Sequence, residues 1–232
     1  PASVKIVLHG NPPSGVYAKD MVLNLLGHFG TGRLLGKSAE IIMENGPELS
    51  LDERITIASM ATEMGAVALL FPPSEKISAY CRKKSGKSFD PVYADSDAKY
   101  DEIFHLDCTR FKPLVSLPGK PHDVTVLDNV AGTRIDSAFI GSCTNGRMED
   151  LRTAARILEG KKVAPAVVLK IVPATNEIWK QCLEEGLIRI FKNAGALVGN
   201  AGCAGCAAGQ IGQNGPGEIT VSTGNRNFTG KQ

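Results

Sequence analysis

Two hydrophobic periodicities alternate along this chain, and that alternation constrains its fold more than any other feature. An apolar run over residues 4–8 ends at Gly10 and the Pro12-Pro13 pair. Residues 18–29 then carry Met21, Val22, Leu25 and Leu26 at helical spacing before Gly30 stops them. Ser50 with Glu53 three residues on forms a capping-box pattern, opening a helix through Ile55, Ile57, Met60 and Met64 that Gly65 closes. Residues 67–71 read as a buried strand ended by Pro72-Pro73. The pattern resumes with a strand over 135–140, a helix presenting Met148, Leu151, Ala154, Ala155 and Leu158, and a strand over 166–172. Helices over 177–185 and 188–194 complete it. Strand and helix in alternation predict an α/β fold, with layered α/β/α lobes around mostly parallel sheets. Residues 74–122 are richer in charge and turn residues, with one helix expected over 75–84. The expected organisation is therefore a lobe over 1–75, a connector over 76–122 and a second lobe over 123–232.

Charge and composition exclude several functions. With 26 basic and 24 acidic residues, and no basic run longer than Arg82-Lys83-Lys84, there is no electrostatic case for nucleic acid or an anionic membrane surface. No apolar stretch approaches the ~18 residues needed to span a bilayer. Pro1-Ala2-Ser3-Val4-Lys5-Ile6 carries neither an initiator Met nor the regions of a signal peptide, so the chain reads as cytoplasmic and as part of something longer.

Glycine is in excess: 25 of 232 residues, about 11% against a usual ~7%. Ten fall between Gly195 and Gly230, in a stretch whose only charges to its end are Glu218, Arg226 and Lys231. So little charge and bulk argues against a solvated face or a packed helix. Glycine is used where backbone approaches something closely, so this stretch is expected to wrap a ligand or cofactor.

The cysteines divide into two groups. Cys81 and Cys182 fall in expected helices and Cys108 in the connector, where a thiol acts as a small hydrophobe. Cys143, Cys203 and Cys206 lie in polar or Gly-rich loops at the ends of elements. Cys203-Ala204-Gly205-Cys206 alone is compatible with a redox pair, zinc or an iron–sulfur cluster. It lacks the strand–helix context of a thioredoxin-like pair. A zinc site would need a fourth ligand, and His9, His28, His105 and His122 are all distant, none with a second ligand at short spacing. Three thiolates suit a [4Fe-4S] cluster with one iron open to substrate, because electron-transfer clusters take four cysteines. A zinc or redox binding module remains the competing reading. In a doubly wound sheet ligands bind beyond the carboxyl ends of the strands, where Cys143 is expected.

Three motifs carry a resemblance. Ile140-Gly141-Ser142-Cys143-Thr144-Asn145-Gly146-Arg147-Met148-Glu149-Asp150-Leu151, Gly202-Cys203-Ala204-Gly205-Cys206 and Gly224-Asn225-Arg226-Asn227-Phe228-Thr229-Gly230 resemble the cluster and active-site motifs of the aconitase superfamily. Within it they are most similar to the large subunits of 3-isopropylmalate dehydratase and its relatives. The resemblance implies an aconitase-like iron–sulfur domain in which Cys143, Cys203 and Cys206 hold a [4Fe-4S] cluster. It implies that Asn225 and Arg226 line the cluster and the substrate carboxylates, and that Glu40, ten residues before Ser50, is an active-site glutamate. Lys231 stands where the family usually has arginine, keeping charge but losing the bidentate fork. Ala204-Gly205 and the following Ala207-Ala208-Gly209-Gln210 also depart from the commonest wording, leaving the hydroxy acid open among isopropylmalate, homoaconitate, citramalate and dimethylmalate. The implied activity is that of a hydro-lyase, dehydrating and rehydrating a hydroxy di- or tricarboxylate, most closely in leucine biosynthesis. The implied partners are a small, swivelling-domain subunit and an N-terminal part of the large subunit. No Asp-Ser-His-like motif for the acids of that N-terminal lobe occurs here.

Overall fold

A computed structural model describes residues 2–88, 90–206 and 209–227, and the chain divides into two units, 1–113 and 114–232. In the first, β1 (Ser3–His9), β2 (Ser38–Glu44), β3 (Ala68–Leu70) and β4 (Glu102–Asp107) form one sheet. Its order is β3-β2-β1-β4 and every pairing is parallel. Helices α1 (Ala18–Phe29), α2 (Leu51–Ala58) and α3 (Glu75–Ser85) make up the rest of its regular structure, with short 3-10 turns. Val4, Ile6 and Leu8 of β1 are buried, as are Met21, Val22, Leu25, Leu26 and Phe29 of α1, so the two periodicities read from the sequence meet in one core.

The capping box forms as expected. The Ser50 hydroxyl accepts from the Glu53 amide at 3.1 Å, and the Ser50 amide donates to the Glu53 carboxylate at 2.6 Å. The helix is shorter than its apolar spacing suggests, because α2 stops at Ala58 and a separate 3-10 turn, Thr62–Met64, leads to Gly65.

The segment 76–122 is more than a connector. Residues 102–107 form β4, an edge strand beside β1, and Phe104 packs edge-on against Phe29 with centroids 5.0 Å apart. Exposed Ile103 and His105 alternate with Phe104 and Leu106, an edge-strand pattern too short and too charged to stand out. The second unit then begins at Leu114, with an antiparallel hairpin of β5 (Leu114–Ser116) and β6 (Val124–Val126).

The second unit's main sheet contains β7 (Ser137–Gly141), β8 (Val168–Val172), β9 (Leu197–Val198) and β10 (Thr220–Ser222), all parallel, in the order β10-β7-β8-β9. Helices α4 (Ser142–Asn145), α5 (Met148–Leu158), α6 (Asn176–Glu184) and α7 (Leu187–Ala194) connect them. Leu169 and Ile171 of β8 pack with Leu151, Ile178, Cys182 and Phe191 from the three longer helices. Phe139 and Val172 pack instead with Ala204 and Ile211, residues of the Gly-rich segment. Among the described residues, no helix is long and apolar enough to cross a membrane.

Candidate functional site

Strand β7 runs into a turn pressed against the end of β8. A Cβ on Gly141, whose φ is +145°, would lie 2.1 Å from the Val172 carbonyl oxygen, and one on Gly146 would lie 2.4 Å from the same atom. Only glycine permits this approach, since no real Cβ comes so near. Between them Ser142 is held at φ +76°, a conformation costing a side-chain-bearing residue about 1–2 kcal/mol. Its neighbours share the consequence: Ser142, Thr144 and Asn145 are buried, while the Cys143 side chain is exposed at the carboxyl edge of the sheet.

Cys203 reaches the same edge from β9. The Gly199 amide donates to the Ile171 carbonyl at 2.9 Å and the Gly202 amide to the Pro173 carbonyl at 3.2 Å, guiding the chain past the end of β8. Cys203 is exposed and begins a turn whose 3-10 portion is Ala204–Cys206. Ala204 is buried under Phe139 and Val172, which anchors the backbone between the two cysteines. The side chain of Cys206, and Lys231 altogether, lie outside the described residues.

The third contribution follows β10. Thr223 donates its amide to the Phe139 carbonyl at 3.0 Å and accepts the Gly141 amide on its hydroxyl at 3.0 Å. The Thr144 hydroxyl then donates to Asn225 Oδ1 at 3.1 Å, tying Asn225 to the residue after Cys143. Arg226 beside it is exposed. Cys143, Cys203 and Asn225 thus gather along one sheet edge.

Glu40 belongs to the first unit. It lies on β2, level with Lys5 of β1 and Leu70 of β3, and accepts a short hydrogen bond from the Tyr100 hydroxyl. That bond, with burial and the carboxylate's charge adding to it, pushes the Tyr100 pKa up to about 12.

Two supports escaped the sequence reading. Asn227 fastens the β5–β6 hairpin: its side-chain nitrogen Nδ2 donates to Ser116 Oγ at 2.9 Å and to the Leu117 carbonyl, and its backbone carbonyl accepts the Gly119 amide at 2.9 Å. Lys170, buried mid-strand in β8, donates to the Gln213 carbonyl at 2.6 Å and to Asn214 Oδ1 at 2.8 Å. The Ser137 hydroxyl donates to the same Oδ1 at 2.8 Å. Gly212 packs so closely that a Cβ there would meet the Gly205 amide at 2.4 Å. Lys170 therefore holds the segment that backs the Cys203–Cys206 turn. Asn227 stood inside a motif already noticed; an isolated lysine in an apolar run was the only trace of the other.

The donor chemistry at this edge suits a sulfur-ligated metal group. No disulfide joins the described cysteines, and two of the three motif thiols stand exposed at one edge. Asn145 adds a buried Oδ1 there with no hydrogen-bond partner. Among the described residues no three His, Cys, Asp or Glu side chains form a metal-binding group, and the third motif thiol is the side chain outside the description. Cys108 and Cys182 behave differently. Burial first, and a nearby carboxylate second, push both thiols up to about 11.

Known proteins align with the whole chain. The family model described as "Aconitase family (aconitate hydratase)" matches residues 1–134 and 128–232. A 3-isopropylmalate dehydratase large subunit of Sulfurihydrogenibium sp. (strain YO3AOP1) is 42% identical, over 100% of this chain and 54% of the relative. A probable 3-isopropylmalate dehydratase large subunit of Methanothermobacter thermautotrophicus is 40% identical, over 100% of this chain and 55% of the relative. The chain thus spans about half the length of the curated relatives it matches. Among solved structures, the holo-form of Thermococcus kodakaraensis aconitase X is similar at a TM-score of 0.56 and 13% identity, over 97% of this chain and 48% of that one, a likeness of fold.

Proposed function

Because the chain belongs to the aconitase family, we propose that it is the cluster-bearing portion of a hydro-lyase large subunit, with Cys143, Cys203 and Cys206 as ligands of a [4Fe-4S] cluster. The observation that carries this reading is the shared sheet edge: the Cys143 turn, the Cys203 turn and Asn225 all follow parallel strands of one sheet. An open iron, when the cluster is bound, supplies Lewis acidity toward a hydroxyl and a carboxylate of the substrate.

The chain's own residues bind and orient. Arg226 offers a planar fork suited to a substrate carboxylate. Asn225, positioned by Thr144, fixes polar contacts beside Cys143. Lys231 adds a compact positive charge without the fork of an arginine. Glu40, oriented by the Tyr100 hydroxyl, holds or receives a proton at a carboxylate oxygen. The remaining acids come from the N-terminal part of a longer large subunit, and the base from a small subunit. The substrate is a hydroxy di- or tricarboxylate, and the 40–42% identity to 3-isopropylmalate dehydratase large subunits favours 3-isopropylmalate, in leucine biosynthesis. A cytoplasmic setting suits thiols that must stay reduced.

Anaerobic reconstitution of the 232-residue chain with iron and sulfide tests the site. The expected result is a brown protein with visible charge-transfer absorption that Cys143→Ala abolishes. Iron uptake by Cys143→Ala equal to the parent's, or stoichiometric zinc without visible absorption, would overturn it. A full-length large subunit with its small subunit, assayed on isopropylmalate, homoaconitate, citramalate and dimethylmalate, then identifies the substrate.

A further inference from the structure

The first sheet has the same strand order as the second. Each has a founding strand with two later strands added on one side and a fourth on the other, giving β3-β2-β1-β4 and β9-β8-β7-β10. In open parallel sheets, ligands bind beyond the carboxyl ends of the strands where the direction of winding reverses. In the second sheet that point lies between β7 and β10 and carries Cys143 and Asn225. In the first it lies between β1 and β4, and its residues are His9, His105 and Asp107, with Glu44 on the other neighbour of β1.

These side chains are arranged for more than packing. His9 Nε2 lies 2.8 Å from His105 Nδ1, and the rings are nearly parallel, 14° apart. On its other side, His9 Nδ1 lies 3.5 Å from the Glu44 carboxylate. Two ring nitrogens each about 2.0–2.1 Å from one metal ion stand about 2.9–3.4 Å apart at angles of 90–110°. The observed separation is a few tenths of an ångström short of this range, and because the nitrogens face each other along the line of the ring centroids, 5.1 Å apart, each ring turns by about 35–45° to admit an ion. A carboxylate on the far ring nitrogen is the arrangement that fixes the tautomer of a metal-binding histidine. The charge environment agrees. Glu44 and Asp107 flank His9 in register on both neighbouring strands, and the Thr109 hydroxyl and amide hold Asp107 below the usual carboxylate range, with Arg110 and His9 adding smaller effects.

We propose that His9 and His105 form a binding site for a borderline divalent transition cation at the switch point of the first sheet, with Glu44 orienting His9. Imidazole donors suit Zn²⁺, Ni²⁺ and Cu²⁺ rather than Mg²⁺ or Ca²⁺. The ion takes the place of the proton shared between the rings, and waters complete its coordination. It joins the edge strand β4 to β1, so binding also raises the melting temperature.

The test uses Zn²⁺ and the 232-residue chain with Cys143, Cys203 and Cys206 replaced by serine, which removes the competing thiols. If that variant does not fold, the same titration is run on the parent with its thiols blocked by N-ethylmaleimide. Calorimetry at pH 7.5 should give one equivalent bound, and imidazole ¹H–¹⁵N spectra should move His9 and His105 while leaving His28 and His122 in place. His9→Gln and His105→Gln should each weaken binding at least tenfold, and Glu44→Gln by a smaller factor. No binding below millimolar Zn²⁺, undiminished affinity in both histidine variants, or shifts confined to His28 or His122 would each overturn the proposal.

Discussion

The two sheets share a topology and differ in what closes them. In the second, three helices bury Leu169 and Ile171, while the Gly-rich segment lays Ala204 and Ile211 on Phe139 and Val172. That segment is thin because it is glycine, and its closeness brings the cysteine turns over the strand ends. In the first unit close approach is confined to turns: a Cβ on Gly46 would lie 2.6 Å from the Gly10 carbonyl oxygen and one on Gly65 2.5 Å from the Thr31 carbonyl oxygen, while Gly15, Gly30, Gly36 and Gly86 have nothing within 4 Å. Its carboxyl edge is instead occupied by long titratable side chains, His9, Glu44, His105 and Asp107. One strand order thus supports a cysteine edge backed by a Gly-rich segment, and an imidazole and carboxylate edge bordered by short turns.

The sharpest way to break this contrast is to add a single methyl group. Gly141→Ala forces a Cβ into the Val172 carbonyl at 2.1 Å and should cost more than about 4 kcal/mol in chemical denaturation. Gly15→Ala, at φ +87° in open space, should cost only about 1 kcal/mol. If the two cost the same, the approach to Val172 is not what holds the Cys143 turn. Next come the two faces of its sheet. Phe191→Ala and Phe139→Ala should each lose about 3–5 kcal/mol. Only Phe139→Ala should speed amide exchange through residues 199–214, because only that ring lies under the Gly-rich segment.

Lys170→Met removes two charge-assisted hydrogen bonds and should destabilise by about 1–3 kcal/mol, with faster exchange in the same segment. Equal exchange rates in parent and variant would show that the segment is held by apolar contact alone. The smallest effects are in titration. At pH 8 a thiol with a pKa near 11 is ionised about one part in a thousand, so Cys108 and Cys182 should react with a disulfide reagent only after unfolding, while Cys143 and Cys203 react at once. In the first unit, one tyrosine should titrate near 12 by ultraviolet absorbance, and Glu40→Gln should bring it back toward 10. The sign follows from a folded pKa above the unfolded one. Whatever stability this hydrogen bond contributes is present below about pH 10 and is lost as the pH rises toward 12.

Much of the site was legible because its chemistry is written in short motifs. Cys143 stood after a strand with glycines on either side, and the structure shows that those glycines serve the approach to Val172. The glycines of residues 195–230 were expected to wrap a ligand, and two of them, Gly199 and Gly212, let the segment lie close on the sheet. That role depends on Ile211 and Ala204 meeting Phe139, a contact between residues more than sixty apart. Glu40 was singled out, but Tyr100 was not, since the two are joined only by the packing of the first unit. The edge strand β4 was missed because three of its six residues are charged or histidine and alternate with exposed Ile103.

The sequence by itself determined the periodicities, the capping box at Ser50, the stop at Gly30, and the grouping of six cysteines into three that act as small hydrophobes and three on polar or Gly-rich loops. These are local properties, set by which side chains share a face within a few residues. Only the tertiary structure decided that β10 lies beside β7 and β4 beside β1, that Asn227 grips the hairpin and Lys170 the Gly-rich segment, and that both sheets reverse at their founding strand. Those pairings close loops of up to about a hundred residues, at an entropic cost that no single motif offsets. They form because burying both faces of each sheet at once favours one strand order, and that order sets cysteines at one switch point and histidines at the other.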